Sequence, residues 1–152
     1  MAENLTPGAG AVHGGDTVIM KSDPYFSKLQ RPASPNHWLI APADFALRPD
    51  AVAPLFDVPV AVLRAAFHAV VRATPGAAVA GESADGMHVV ATTRWLAFKD
   101  DIRVQFVPVT QQQSTIVLYS ASRVGYWDMG ANRRRLADWL SQTRSTLAKR
   151  GP

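Results

Sequence analysis

Ser120-Ala-Ser-Arg-Val-Gly-Tyr-Trp-Asp-Met-Gly-Ala-Asn-Arg-Arg-Arg135 carries the chain from its last predicted strand into its last predicted helix. Three arginines, Arg133 to Arg135, open that helix, where the macrodipole already presents partial positive charge. More positive charge there is unfavourable by roughly a few tenths of a kcal/mol per residue unless a nearby anion or carboxylate compensates it. The stretch therefore predicts a strand-to-helix junction that needs acidic neighbours.

Apolar periodicity places the remaining elements around this junction. Ile102, Val104 and Phe106 alternate with Arg103 and Gln105, which is typical of a half-buried strand. The last helix carries an apolar stripe that starts at Leu136. The same reasoning predicts a strand at 37–41, a helix at 57–74, and strands at 77–80, 87–98 and 115–123.

The predicted order of elements is therefore β-α-β-β-β-β-α. Short connections favour antiparallel pairing, and two amphipathic helices need one face of the sheet to cover. We expect an α+β fold, a two-layer sandwich with two helices on one face of an antiparallel sheet. The order is similar to both the TATA-binding-protein-like and the helix-grip arrangements, and it is compatible with either. Residues 36–148 are predicted to form this single domain, after a Gly- and Pro-rich leader at 1–35 that is mobile or docks a partner.

Composition narrows the function classes. The chain has 152 residues, a net charge of +4 and no cysteine, so disulfides, thiol catalysis and cysteine metal sites are excluded. No apolar run is long enough to span a membrane. The start shows no signal peptide, so we expect a cytoplasmic protein, or a periplasmic one if the chain has been trimmed.

Motifs of catalysis and metal binding are missing from the sequence. The four histidines, at positions 13, 37, 68 and 88, lack metal-ligand spacing. Nucleophile elbows and phosphate-binding loops are also missing. We therefore predict no catalytic residue, no metal and no cofactor. The strands lack evenly spaced aromatic and basic residues, which disfavours nucleic acid as a partner.

Asp100 and Asp101 are the candidate partners of the arginines. Their position predicts a hairpin turn between two strands, and turn chemistry by itself would explain both residues. The sharper hypothesis is that one carboxylate binds Arg123 or the arginine triplet. Within the triplet, we expect Arg133 to be held by a carboxylate, and Arg134 and Arg135 to point to solvent.

The junction itself supplies four more candidate residues. Asp128 is a natural helix N-cap, and Asn132 is the other possible cap. Tyr126 and Trp127 lie in a loop beside arginines, so we expect them to form a contact surface, with Trp127 more exposed than Trp139. Trp139 shares the apolar stripe of the helix and should instead be buried.

Two segments resemble a known family. They are Phe98-Lys-Asp-Asp-Ile-Arg-Val-Gln-Phe106 and the junction, whose Ser-Arg-x-Gly-Tyr-x-Asp-x-Gly-x-Asn-Arg-Arg-Arg pattern starts at Ser122. Both are similar to the bacterial and plastid family of uncharacterised proteins catalogued as domain of unknown function 1499. With Asn36 and the apolar run after it, the likeness covers roughly residues 35–147. The resemblance implies no established activity.

Three functions are compatible with these patterns. The first is a non-enzymatic accessory or interaction module that binds an acidic protein surface or anionic ligand through the basic helix start. The second is a binder of a small apolar ligand, with a cavity between sheet and helices. The third is an enzyme acting on an anionic substrate, with Arg123, Arg133 and Arg134 as an anion clamp and Asp100 or Asp101 as the base. The oligomeric state stays open.

Overall fold

A computed structural model describes residues 24–151. These residues form three helices and six strands. In chain order they are α1 (Pro24–Ser27), β1 (His37–Ala41), β2 (Ala51–Val52), α2 (Val60–Ala73), β3 (Ala77–Glu82), β4 (Gly86–Thr92), β5 (Lys99–Pro108), β6 (Ser114–Ser122) and α3 (Ala131–Lys149).

The strands form one open sheet in the order β2-β1-β6-β5-β4-β3. All neighbouring pairs are antiparallel except β1 and β2, which pair in parallel over two residues. The predicted α+β fold is thus confirmed, and its sheet is antiparallel apart from the short β1–β2 pair. Both α1 and β2 are additions to the predicted order. Within residues 24–151, no helix combines the length and the apolar character that a membrane span requires.

The main core lies between the sheet and the two long helices. Alternation along β5 directs Ile102, Val104 and Phe106 to this side, where α2 and α3 cover them. The ring of Phe67 on α2 meets Phe106 and Trp139 edge-on, at centroid distances of 5.8 and 5.9 Å. Trp139 is 1% exposed, as its place on the apolar stripe predicted. Side chains from both layers fill this space, which does not favour the hypothesis of a ligand cavity there.

The opposite face of the sheet has a smaller apolar cluster. Phe26 of α1 is buried there with Leu39 and Tyr119, and the ring of Phe45 packs edge-on against Phe26. An ion pair of 2.5 Å between Arg31 Nη2 and Asp50 Oδ2 fastens the segment after α1 to the loop before β2. The described part of the predicted leader, residues 24–35, thus lies along this face. Residues 1–23, and with them His13, lie outside the described residues.

The predicted hairpin turn at Asp100 and Asp101 is wrong. Strand β4 ends at Thr92, the chain reverses over residues 93–98, and β5 begins at Lys99, so both aspartates lie in a strand. Asp disfavours strands, but this preference is weak and depends on context. Here an arginine partner for each carboxylate overrides it.

Candidate functional site

Two loops meet at one end of the sheet, and we call this region the loop end. They are the β4–β5 loop (residues 93–98) and the β6–α3 loop (residues 123–130). The pairing of β5 with β6 brings them together, since Asp100 lies opposite Ser122 and the Arg123 N–H donates to the Lys99 carbonyl at 3.0 Å. The register of β5 and β6 therefore places the two loops next to each other.

Exposed apolar side chains concentrate at the loop end. Ten large hydrophobic residues are exposed among the described residues, and seven of them lie in these two loops. They are Trp95, Leu96, Phe98, Val124, Tyr126, Trp127 and Met129. Trp127 is thus more exposed than Trp139, as the sequence predicted, and Tyr126 is exposed beside it. Such clustering, unlike scattered exposed residues, is typical of an interaction site.

A groove of about 490 Å³ runs between the two loops. Its walls are mostly apolar and include Trp95, Phe98 and Trp127. Asp100 and Ser122 also line it, and they come from the paired ends of β5 and β6. Apolar walls with a few polar groups in a volume of this size are typical of a ligand or side-chain pocket.

Asp128 shapes the junction between loop and helix. Met129 and Gly130 both adopt left-handed backbone angles, with φ of 56° and 77°, and this turns the chain sharply into α3. The Asp128 carboxylate then accepts hydrogen bonds from the N–H groups of Gly130 and Asn132 at 2.9 and 2.8 Å. Burial by itself would raise the pKa of Asp128, but these N–H donors outweigh it and lower the pKa. Asp128 thus supplies the predicted capping carboxylate, although Gly130 occupies the N-cap position.

Asn132 is a buried hub rather than a cap. Its two Nδ2 hydrogens are shared among three acceptors: Asp128 Oδ2 at 2.6 Å, Ser122 Oγ at 2.9 Å and the Asn36 carbonyl at 3.0 Å. Its Oδ1 accepts from the Ser120 hydroxyl. The residue is 0% exposed and joins α3 to β6 and to the entry of β1. These bonds fix where the helix begins relative to the sheet.

Arg135 provides the contact that the sequence assigned to Arg133. Its Nη2 lies 2.6 Å from Asp100 Oδ2, and the two side chains are 15% and 4% exposed. The expectation that Arg135 points to solvent is therefore wrong. Since α3 begins at Ala131, Asn132, Arg135 and Leu136 share the face that packs on the sheet.

The other two triplet arginines point outward. Arg133 is exposed, and its guanidinium lies over the Trp38 ring at 5.2 Å from the centroid instead of reaching a carboxylate, so the predicted contact of Arg133 is wrong. Arg134 is exposed, as expected, and lines the groove. Its Nη1 donates to the Met129 carbonyl at 2.7 Å, which holds the guanidinium beside the loop.

Asp101 and Arg123 pair on the opposite face of the sheet. Arg123 donates through Nε and Nη2 to the two carboxylate oxygens at 2.7 and 2.9 Å, the bidentate geometry that the sequence suggested for one of the aspartates. His88 Nε2 also lies 2.7 Å from Asp101 Oδ1. The hydrogen bonds from Arg123 are the main reason that the pKa of Asp101 falls to about 2.

Sequence reasoning missed one wall of the groove. Arg94, Trp95, Leu96 and Phe98 were predicted to continue a strand, yet they form the exposed β4–β5 loop. The sequence contained a signal against a half-buried strand here. Such a strand alternates apolar and polar residues, whereas all four residues from 95 to 98 are apolar. For metal chemistry, residues 24–151 offer no group of three or more His, Cys, Asp or Glu that could hold an ion.

A known protein family matches most of the chain. Residues 18–142 match the family described as Protein of unknown function (DUF1499). The chain belongs to this family. The match spans both loops, the Asp100–Arg135 pair and the Asn132 hub, so the resemblance noted in the sequence is confirmed. No curated protein matches the chain.

Proposed function

We propose that this member of the family is a non-enzymatic interaction module that binds an acidic partner protein at its loop end. The observation that carries the proposal is the cluster of seven exposed hydrophobic residues at the loop end, six of which line the groove. Exposed aromatic residues cost free energy in water and are enriched at the centres of protein interfaces. Trp95, Tyr126 and Trp127 are side chains of the kind that most often dominates binding energy.

The charge around the groove supports an acidic partner. The nearby carboxylates already have donors: Arg135 for Asp100, Arg123 for Asp101, and backbone N–H groups for Asp128. Arg94 and Arg134 line the groove, and neither forms an ion pair with a carboxylate of the described residues. A cationic rim beside apolar anchors favours a partner that pairs hydrophobic side chains with Asp or Glu.

The enzymatic alternative has less support. It needs Asp100 or Asp101 as a base and Arg123 as part of an anion clamp. Arg123 is already engaged with Asp101, and Asp100 is engaged with Arg135. Arg123 lowers the pKa of Asp101 to about 2, so this carboxylate has little tendency to take a proton at neutral pH.

A peptide-display selection tests the proposal with defined probes. The library places a hydrophobic residue at the centre and flanks it with either Asp/Glu or Lys. We expect acid-flanked peptides to be selected and their affinity to fall as salt is raised from low to high concentration. The double variant Arg94→Gln/Arg134→Gln should bind about tenfold more weakly. The matched control Arg72→Gln/Arg144→Gln removes two exposed arginines that do not line the groove and should bind like the wild type.

Two results would overturn the proposal. One is equal selection of acid-flanked and Lys-flanked peptides. The other is tight binding to phosphatidylglycerol vesicles, with a blue shift of tryptophan fluorescence, and no selection of peptides. The same aromatic and basic side chains would then serve a membrane surface.

A further inference from the structure

The groove contains a polar subsite, and its chemistry narrows the kind of residue that can enter. We infer that Asp100 recognises a neutral hydrogen-bond donor at the tip of an otherwise apolar side chain, as in tryptophan or tyrosine. This inference rests on the proposed function, because it names the residue with which the acidic partner anchors itself. The inference depends on Asp100 and the other carboxylate and hydroxyl groups of the groove, and not on the arginines Arg94 and Arg134 at its rim.

Asp100 is a buried carboxylate with one oxygen still available. Its side chain is 4% exposed and lines the groove, while Oδ2 accepts the hydrogen bond from Arg135 at 2.6 Å. No donor of the described residues reaches Oδ1 in a hydrogen bond. Nor is Oδ1 among the side-chain atoms of the described residues that are sealed from solvent without a partner. A buried carboxylate oxygen gains free energy when a donor reaches it, so Oδ1 is an acceptor open to a ligand.

Two other side chains at the groove, Ser122 and Asp128, already accept hydrogen bonds. Ser122 Oγ accepts from Asn132 Nδ2 at 2.9 Å, and both oxygens of Asp128 accept from N–H groups of the first helical turn. These bonds hold Ser122 and Asp128 in place among the residues that line the groove. Among the side-chain oxygens of Asp100, Ser122 and Asp128, Asp100 Oδ1 is the one that accepts no hydrogen bond from the described residues.

The electrostatics favour a neutral donor over an ammonium group. Arg135 already balances the charge of Asp100 at contact distance. Arg94 and Arg134 add positive charge to the same groove, and the Asp128 carboxylate adds one negative charge, so three arginines against two aspartates leave a net charge of +1. A lysine entering here would lose hydration and meet a net positive environment, whereas an indole N–H or a phenol O–H can satisfy Oδ1 without adding charge.

The walls favour an aromatic body for that donor. Trp95, Phe98 and Trp127 line the groove, whose volume of about 490 Å³ accommodates an aromatic side chain. Aromatic rings pair edge-on or offset with one another, and buried Trp and Tyr keep their N–H or O–H bonded to a partner. Trp and Tyr combine both requirements, since Phe lacks the donor and Ser lacks the apolar body.

The test compares peptides that differ at the donor atom alone. An acid-flanked peptide is made with Tyr or Phe at its centre, and a second pair carries Trp or 1-methyltryptophan. Titration of wild-type protein, followed by fluorescence anisotropy of a label on the peptide, gives each Kd. We expect Phe to bind at least about tenfold more weakly than Tyr, and 1-methyltryptophan similarly more weakly than Trp, because each loses a bond to a charged acceptor. A Lys-centred peptide should bind more weakly than either parent.

A protein variant tests whether Asp100 is the acceptor that distinguishes Tyr from Phe. Asp100→Asn should reduce the preference for Tyr over Phe to less than threefold, because the amide replaces the charged acceptor. The control Asp101→Asn alters the neighbouring carboxylate on the other face and should keep the preference. If Asp100→Asn does not fold, the peptide pairs on the wild type decide by themselves.

The outcomes separate the inference from the proposed function. Equal Kd values within each pair would overturn the inference, and so would tighter binding of the Lys-centred peptide than of the Tyr-centred peptide. Acid-flanked peptides would still bind in an arginine-dependent way if the proposed function holds. Absence of binding by every acid-flanked peptide would instead overturn the proposed function, and the inference with it.

Discussion

Two consecutive aspartates place two ion pairs on opposite faces of the same strand. Asp100 faces the helices and pairs with Arg135, with side chains 4% and 15% exposed. Asp101 faces the other way and pairs with Arg123, with side chains 31% and 44% exposed. Both are Asp–Arg contacts shorter than 3 Å. They lie on opposite faces of the sheet because successive side chains of a strand point to alternate faces.

The difference between these pairs teaches how burial changes the role of an ion pair. When one partner of a buried pair is removed, the other is left as an unpaired charge away from water, which strongly destabilises the fold. An exposed pair is screened by water and salt, and its removal leaves a solvated charge. The Asp100–Arg135 pair should therefore be needed for the fold, while the Asp101–Arg123 pair should matter much less.

Breaking the buried pair should have the largest effect. Arg135→Ala leaves the Asp100 carboxylate buried without its donor, so the free energy of unfolding should fall by about 3–5 kcal/mol. Urea denaturation followed by the fluorescence of the tryptophans measures this change. Arg134→Ala, one residue earlier on the same helix, serves as the control. Equal unfolding midpoints for the two variants would contradict the assignment of the buried pair.

Removal of the hub beside that pair should have the next largest effect. Asn132→Ala deletes the donor to the Asn36 carbonyl, to Ser122 Oγ and to Asp128 Oδ2. Leaving such groups unsatisfied should lower the free energy of unfolding by about 1–3 kcal/mol. Gln142→Ala, on the exposed part of the same helix, is the control for helix propensity. A loss no greater than that of the control would show that the hub adds no stability.

The exposed pair should contribute a smaller and pH-dependent stabilisation. The pKa of Asp101 is lowered from 3.8 to about 2 in the folded protein, chiefly by Arg123. A lowered carboxyl pKa stabilises the folded state above the unfolded pKa, and this stabilisation disappears as the pH falls toward the folded value. The difference in urea midpoint between wild type and Arg123→Ala should thus be present at pH 7 and vanish between about pH 4 and pH 2. A difference that persists unchanged at pH 2 would rule out this ion pair as its source.

Side chains of the loop end should have the smallest effect on stability. Arg134→Ala and Trp127→Ala remove exposed groups, so each should change the free energy of unfolding by no more than about 0.5 kcal/mol. Trp139→Ala, which removes a fully buried ring, is the contrasting control for Trp127→Ala. Thermal denaturation of the three variants measures the contrast. A large loss for Trp127→Ala would mean that the loop serves the fold rather than binding.

Most of the fold was predictable from local pattern. The alternation around Ile102 and the helical stripe from Leu136 predicted β5 and α3, because one face of each element must be apolar to reach a core. The β4–β5 connection was not, since Trp95, Leu96 and Phe98 are apolar residues exposed in a loop. Rules based on burial assign such residues to a strand, because these rules expect apolar side chains to be buried.

The candidate site was predicted in its parts but not in its connections. Tyr126, Trp127 and Asp128 were identified, and so was the need for carboxylates near the arginines. Which arginine meets which aspartate was not predictable, because a shift of one residue in the start of α3 rotates its side chains by about 100°. The start at Ala131 places Arg135, and not Arg133, over Asp100.

By itself, the sequence determined the fold class, the identity of the junction and the excess of positive charge, since hydrophobic period and composition are local properties of the chain. Only the tertiary structure decided that Asp100 and Asp101 face opposite sides, that Asn132 is a hub, and that the two loops enclose a groove. These features depend on strand register and on where a helix begins. Both are set by contacts between residues far apart in sequence, such as Asn36 with Asn132 and Asp100 with Arg135.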